Sequence, residues 1–237
     1  MALILFQTII QTLSSTLHWL GFASGIRAAV TPPGKRWFWL IGSAAFALFW
    51  LAGIALLASN DFFRNTVFPP RIPLAIALTL AAGYAALLSG SFRGIVTAIP
   101  LHWLIAIQTF RVLGGVFLIR YAQGELPGVF ALPAGIGDVA TGVLAPLVAY
   151  WCYTGKSYAR SAAIAWNLFG MADLINAVAI GYLLGGTGIV FPIVLIPIYA
   201  VPRAFLIHSY ALISLLGRTA RAPVAQVGGL VAAASSR

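Results

Sequence analysis

The chain has 237 residues, of which 61% are hydrophobic and only 8% are charged. A soluble domain carries about 25% charged residues, so this composition excludes a water-facing globular domain and indicates a polytopic membrane protein. The formal net charge of +10 does not indicate nucleic-acid binding, because the basic residues lie between long apolar runs instead of forming one basic face.

Seven segments are apolar enough, and long enough, to cross a bilayer as helices, which takes about 20 residues each. The sequence therefore predicts an all-α bundle of seven transmembrane helices in a single domain, residues 1–217, followed by a flexible cytoplasmic tail, residues 218–237. In chain order, the predicted helices are residues 3–25, 37–59, 72–90, 98–120, 129–153, 161–184 and 189–217.

The first predicted helix is expected to be a retained span, since its first basic residue, Arg27, follows the apolar stretch instead of preceding it as in a signal peptide. Polar side chains recur along this helix at steps of four, three and four residues: Gln7, Gln11, Ser14 and His18. Such a stripe must face protein or water, because lipid offers no hydrogen-bond partners.

Basic residues in the loops predict the orientation. With seven spans, nine loop or tail arginines and lysines fall on one side and three on the other. The positive-inside rule places the richer side in the cytoplasm, so the N-terminus is expected outside and the C-terminus inside. The expected location is the cell membrane, as a multi-pass protein of the bacterial inner membrane.

Four charged residues lie within predicted helices, where each costs several kcal/mol by insertion measurements. They are Arg111, Asp138, Asp173 and Arg203, and their charges sum to zero. The sequence therefore predicts that each of the two arginines lies near one of the two aspartates. A buried ion pair could be structural, but buried ionisable groups in membrane helices more often mark a functional site.

Helical phase extends this set. At about 100° per residue, Gln108, Arg111 and Gly115 share one face of the fourth predicted helix, and small residues flank Asp138 on the fifth. No catalytic residue is assigned and no metal site is expected. The candidate substrate-binding or proton-binding residues are Asp138, Asp173, Arg111, Arg203, Gln108, Asn176, Asn167, Gln11, His18 and His208.

Two further features are typical of secondary transporters. The segments Gly135–Asp138 and Gly170–Asp173 resemble each other at an offset of 35 residues, which in consecutive spans corresponds to an inverted repeat. Prolines at 192, 197 and 202 interrupt the last predicted helix, and each one frees a backbone carbonyl one turn earlier.

Several function classes are compatible with these residues. The leading hypothesis is a small secondary transporter or permease, proton-coupled through the aspartates, whose arginines can meet an anionic substrate. One alternative is an intramembrane enzyme using acid–base catalysis, or a redox protein with haem b held by His18 and His208. Another is a membrane sensor or assembly partner whose polar core is structural.

The remaining expectations concern partners and covalent chemistry. The single cysteine, Cys152, excludes an intramolecular disulfide and a cysteine-based metal cluster. The expected partners are the lipid bilayer and a small-molecule or ion substrate, with no nucleic acid, and assembly into a homo-oligomer is left open.

The predicted orientation can be checked by reporter fusions. Fusions at Gly34, Arg93 and Lys156 should report a cytoplasmic location, because they follow the first, third and fifth predicted spans, and a fusion at Gln123 should report an external one. A cytoplasmic signal at Gln123 would contradict the seven-span topology.

Overall fold

The computed structural model describes residues 2–64, 70–184 and 191–217, and within these residues every regular element is helical. The predicted tail, residues 218–237, and the first two residues of the last predicted helix, 189–190, lie outside the described residues.

The helices follow one another with short connections. They are α1 (Ala2–Ala29), α2 (Pro33–Ser59), α3 (Arg71–Ala86), α4 (Gly90–Ala98), α5 (Leu101–Ile107), a 3₁₀ segment (Gln108–Gly115), α6 (Val116–Ala122), α7 (Gly128–Tyr153), α8 (Ala159–Leu183), a π-helical turn (Ile196–Ala200) and α9 (Val201–Gly217).

Five helical stretches are long and apolar enough to cross a membrane: α2, α7, α8, Leu101–Ala122 and Ile196–Gly217. The pair α3 and α4, bent by 95°, makes a sixth if it is counted as one span. Helix α1 has sufficient length but is not among the five, because its polar stripe lowers its mean hydropathy. The all-helical, multi-pass character is therefore confirmed, whereas the seventh span and the orientation stay predictions.

The third predicted helix is wrong at its C-terminal end. It was expected to reach residue 90, but α3 ends at Ala86 and a separate helix, α4, begins at Gly90. The side chain of Ser89 accepts a hydrogen bond from the backbone N–H of Phe92, 3.4 Å away. Serine is a favourable N-cap residue, and it starts a new helix where the sequence predicted a loop.

The fourth predicted helix is not a continuous α-helix, because its central residues wind as a 3₁₀ helix with about three residues per turn. Residues three apart then lie one above another, and Gln108, Arg111 and Gly114 are all buried while Val112 is exposed. The predicted face was therefore right for Gln108 and Arg111 but wrong by one residue for its glycine.

Helix α7 is at the centre of the packing. It contacts the 3₁₀ segment, α5, α6 and α8. Its small-residue stripe permits this closeness, since a Cβ at Gly142 would overlap the backbone nitrogen of Val112, and one at Gly135 would overlap the side chain of Leu118. Helix α2 is peripheral and packs on α1 and the π-helical turn.

The close approach at Gly142 generates a stability prediction. Gly142→Ala should destabilise the fold by about 1–3 kcal/mol, because overpacking against a backbone atom is relieved only by moving a helix. Gly53→Ala on α2 is the matched control, since a Cβ there meets no atom within 4 Å. Thermal unfolding in detergent should show a lower midpoint for Gly142→Ala and an equal or higher one for Gly53→Ala; equal midpoints would contradict the tight packing.

Candidate functional site

The buried ionic centre is organised around Arg111. Its Nε donates to Asp138 Oδ1 at 2.7 Å, and its Nη2 donates to Asp173 Oδ2. Its Nη1 donates to the carbonyl oxygen of Gly170 at 3.1 Å and to Nε2 of His208 at 3.2 Å. One guanidinium thus joins the 3₁₀ segment to α7, α8 and α9. We call Arg111, Asp138 and Asp173 the ionic centre.

The ionic centre is almost completely enclosed. The side chain of Arg111 is 2% exposed, and those of Asp138 and Asp173 are 15% and 7% exposed. Two carboxylates share one cation, so the centre carries a net charge of −1 when both are ionised. A single added proton brings this charge to zero.

The hydrogen bonds of His208 define its protonation. An arginine can only donate, so Nε2 of His208 accepts the bond from Arg111, and Nδ1 must carry the ring proton. Nδ1 then donates to Oδ1 of Asn167 at 2.9 Å, and Nδ2 of Asn167 donates to the carbonyl oxygen of Ala163 at 2.7 Å. His208 is therefore a neutral imidazole that holds Arg111 in position.

Three glycines make room for the ionic centre. A Cβ at Gly114 would overlap the carboxyl group of Asp138, and one at Gly137 would overlap that of Asp173. A Cβ at Gly170 would lie 2.5 Å from the ring of His208. Small residues let helix backbones approach closely, and here they let three helices converge on one guanidinium.

A cavity of about 40 Å³ lies beside the ionic centre, lined by Arg111, Asp138 and Gln11 among others. Gln11 is 1% exposed, and neither its amide oxygen nor its amide nitrogen has a hydrogen-bond partner among the described residues. A polar cavity above about 15 Å³ can hold a water molecule. Gln11, Arg111 and Asp138 are the polar residues among the otherwise apolar walls of this cavity.

Arg203 lies apart from both buried aspartates, so the prediction that it pairs with one of them is wrong. Its guanidinium stacks on Tyr199, 3.8 Å from the ring centroid, and donates to the hydroxyls of Ser14 and Ser15 and to the carbonyl oxygen of Tyr199. Among the described residues no carboxylate lies within ion-pair distance. The four buried charges therefore form an ionic centre with a net charge of −1 and a separate charge of +1 on Arg203.

The remaining candidate residues divide between the core and the surface. Gln108 is buried, and its amide nitrogen donates to the carbonyl oxygen of Ala204 at 2.8 Å, which ties the 3₁₀ segment to α9. Asn176 is exposed and takes no part in the ionic centre. The polar stripe on α1 faces protein as predicted, since Gln7, Gln11 and Ser14 are buried.

The haem alternative does not fit the histidines. Both ring nitrogens of His208 are engaged by Arg111 and Asn167, so neither is available as an axial ligand. His18 instead contacts the ring of Phe110, with centroids 5.1 Å apart. Phe110 also lines the small cavity beside the ionic centre.

Three partners of the arginines were not identified from the sequence: the carbonyl of Gly170, Tyr199 and Ser15. The carbonyl of Gly170 is a backbone group, and its hydrogen bond to Arg111 cannot be predicted from the type of residue. Tyr199 could have been found, because it precedes Arg203 by four residues, the spacing at which helical side chains meet.

These features define a helical membrane protein with an enclosed ionic centre in its core. Residues 69–216 match the profile of a domain of unknown function, DUF8737, and they make up more than half of the 237-residue chain. The chain belongs to this family. The matched residues include the whole ionic centre, His208 and Arg203, whereas α1 and α2 precede them. Searches of curated proteins and of solved structures gave no match.

The shared arginine predicts an asymmetry between the members of the ionic centre. Arg111→Gln leaves two buried carboxylates without a cation and should destabilise the fold by about 3–5 kcal/mol. Asp173→Asn should cost less, because Arg111 keeps its bond to Asp138. The triple variant Arg111→Gln, Asp138→Asn, Asp173→Asn should recover most of the loss, since no charge stays buried in the ionic centre.

The control for this series is Arg120→Gln. Arg120 pairs with Glu125 at 2.5 Å in a partly exposed ion pair, which is worth about 1 kcal/mol or less. Thermal unfolding in detergent would measure all four variants. A Tm for Arg111→Gln no lower than that of Asp173→Asn would show that the shared-cation geometry is wrong.

Proposed function

We propose that the protein is a proton-coupled secondary transporter of a small anion. The observation that carries the proposal is that one guanidinium serves two buried carboxylates, which leaves the ionic centre one charge short of neutrality. A proton supplies that charge without an added protein group. Arg203 supplies a second, opposite charge for an anion.

The two charges favour joint loading. In the empty protein the ionic centre at −1 attracts Arg203 at +1. The first ligand to bind, either a proton or an anion, must overcome this attraction. The second ligand then has no such electrostatic cost, because the attraction is already lost. Because this attraction is lost only once, each ligand should bind more tightly when the other is present.

Irregular helix geometry beside both charges supports movement. Arg111 lies within the 3₁₀ segment, and Arg203 follows the π-helical turn Ile196–Ala200 by three residues. Broken helices at the binding site are a recurring feature of secondary transporters. The Gln108 amide donates to the Ala204 carbonyl, which links the 3₁₀ segment to α9 four residues after the π-helical turn.

Proteoliposomes containing the dye pyranine would test the transport proposal. Methanesulfonate, 1-octanesulfonate and 1-naphthalenesulfonate are suitable anions, because a sulfonate stays ionised and does not itself carry protons through lipid. An inward gradient of a transported sulfonate should acidify the lumen with the native protein and with Arg120→Gln. Protein-free liposomes should show no acidification.

The neutral triple variant tests whether the ionic centre carries the proton or has only a structural role. If the ionic centre carries the proton, this variant should fold but give no sulfonate-driven acidification, since no carboxylate remains. Sulfonate uptake equal to that of the native protein, measured by the naphthalene fluorescence retained in the vesicles, would show that the centre is structural. Uptake without acidification in the native protein would contradict proton coupling.

A further inference from the structure

A second and larger cavity, of about 500 Å³, lies between α1 and α2 and reaches the beginning of α9. Most of its walls are aromatic: Trp19, Phe22, Phe38, Trp39, Phe46 and Trp50. We call it the aromatic cavity. Its volume is within the range of about 300–1,000 Å³ that small-molecule sites occupy, and such sites combine apolar walls with a few polar groups.

The polar groups of the aromatic cavity gather around Arg203. Arg203 donates to the hydroxyls of Ser15 at 3.1 Å and Ser14 at 3.0 Å and to the Tyr199 carbonyl at 3.1 Å. These partners are neutral and use three of the five guanidinium N–H groups, which leaves one on each terminal nitrogen. That pair of donors matches the two oxygens of a carboxylate, sulfonate or phosphate.

His18 adds a second unsatisfied group at the same end of the cavity. Its Nδ1 donates to the carbonyl oxygen of Ser14 at 2.5 Å, so Nε2 is the acceptor of the neutral ring. Nε2 is buried and has no hydrogen-bond partner among the described residues. By contrast, the indole N–H of Trp19 is satisfied by Ser43 at 3.2 Å.

We infer that the aromatic cavity binds an amphipathic organic monoanion. Its anionic group lies against Arg203, and its apolar or aromatic body lies among the tryptophan and phenylalanine rings. This inference names the substrate class of the proposed transporter and rests on that proposal only for the movement of the ligand, since binding needs no transport. Residues of α1 and α2, which precede the range matched by the family, supply most of the apolar walls, and Phe92 of α4 adds a further ring.

The tryptophans provide a direct binding assay. An aryl bromide quenches indole fluorescence on contact, and Trp19, Trp39 and Trp50 line the cavity. The protein in phosphatidylcholine nanodiscs would be titrated with 4-bromobenzenesulfonate and with 4-bromobenzenesulfonamide, which has the same body without the charge. The sulfonate should quench saturably and bind at least tenfold more tightly, because a charge-assisted hydrogen bond contributes about that factor.

Substitution of Arg203 tests the charge. Arg203→Gln should abolish the preference for the sulfonate, whereas Lys156→Gln, which removes one positive charge from an exposed loop, should leave it unchanged. Equal affinities for the sulfonate and the sulfonamide in the native protein would overturn the inference, as would a preference that survives Arg203→Gln.

A pair of glycines on α2 tests the cavity without altering Arg203. Gly42 lines the aromatic cavity, and a Cβ added there meets no atom within 4 Å. Gly42→Leu should fill the space and weaken sulfonate binding at least tenfold. Gly53→Leu is the control, because Gly53 has equally open surroundings and does not line this cavity.

The outcomes separate the two proposals. Saturable binding that Gly42→Leu weakens, together with no acidification in the transport assay, would keep the binding site and refute transport. Undiminished binding in Gly42→Leu would refute the aromatic cavity as the site even if sulfonate transport were observed.

Discussion

The fold depends on a single shared cation. Arg111 contacts groups on α7, α8 and α9 at once, and each contact is possible only because Gly114, Gly137 or Gly170 lacks a side chain at the point of approach. The packing of the central helices and the electrostatics of the core therefore depend on the same contacts. A bundle held by apolar contacts alone could slide by a residue, whereas this one is registered by directional bonds to a planar donor.

Separation of charge is the second organising feature. A count of buried charges gives zero, but the geometry leaves the ionic centre negative and Arg203 positive, because Arg111 pairs with both aspartates and Arg203 has only neutral partners. Isolated charges are expensive in a low-dielectric interior. Under the proposed transport function, a proton at the ionic centre and an anion at Arg203 would each neutralise one of these charges.

The sequence predicted much of the core and for identifiable reasons. Charged residues inside apolar runs are rare, so Arg111, Asp138 and Asp173 were recognisable from composition, and the α1 stripe from its spacing. The partners of Arg203 were not predictable, because a sum of charges gives no information about the distances between the charged groups. Gly115 was predicted on the face of Arg111, where Gly114 lies instead, since a phase of 100° per residue does not hold where the chain winds as a 3₁₀ helix.

The 3₁₀ segment also affects how the protein fits a bilayer. Each of its residues advances the axis by about 2.0 Å instead of 1.5 Å, so the 22-residue stretch Leu101–Ala122 measures about 37 Å rather than 33 Å if it is straight. The hydrocarbon layer is about 30 Å thick. If the whole stretch lies within the hydrocarbon layer, it would cross at a tilt of roughly 35° or thicken the surrounding lipid, and membrane thickness would then act on the eight-residue segment that contains Arg111.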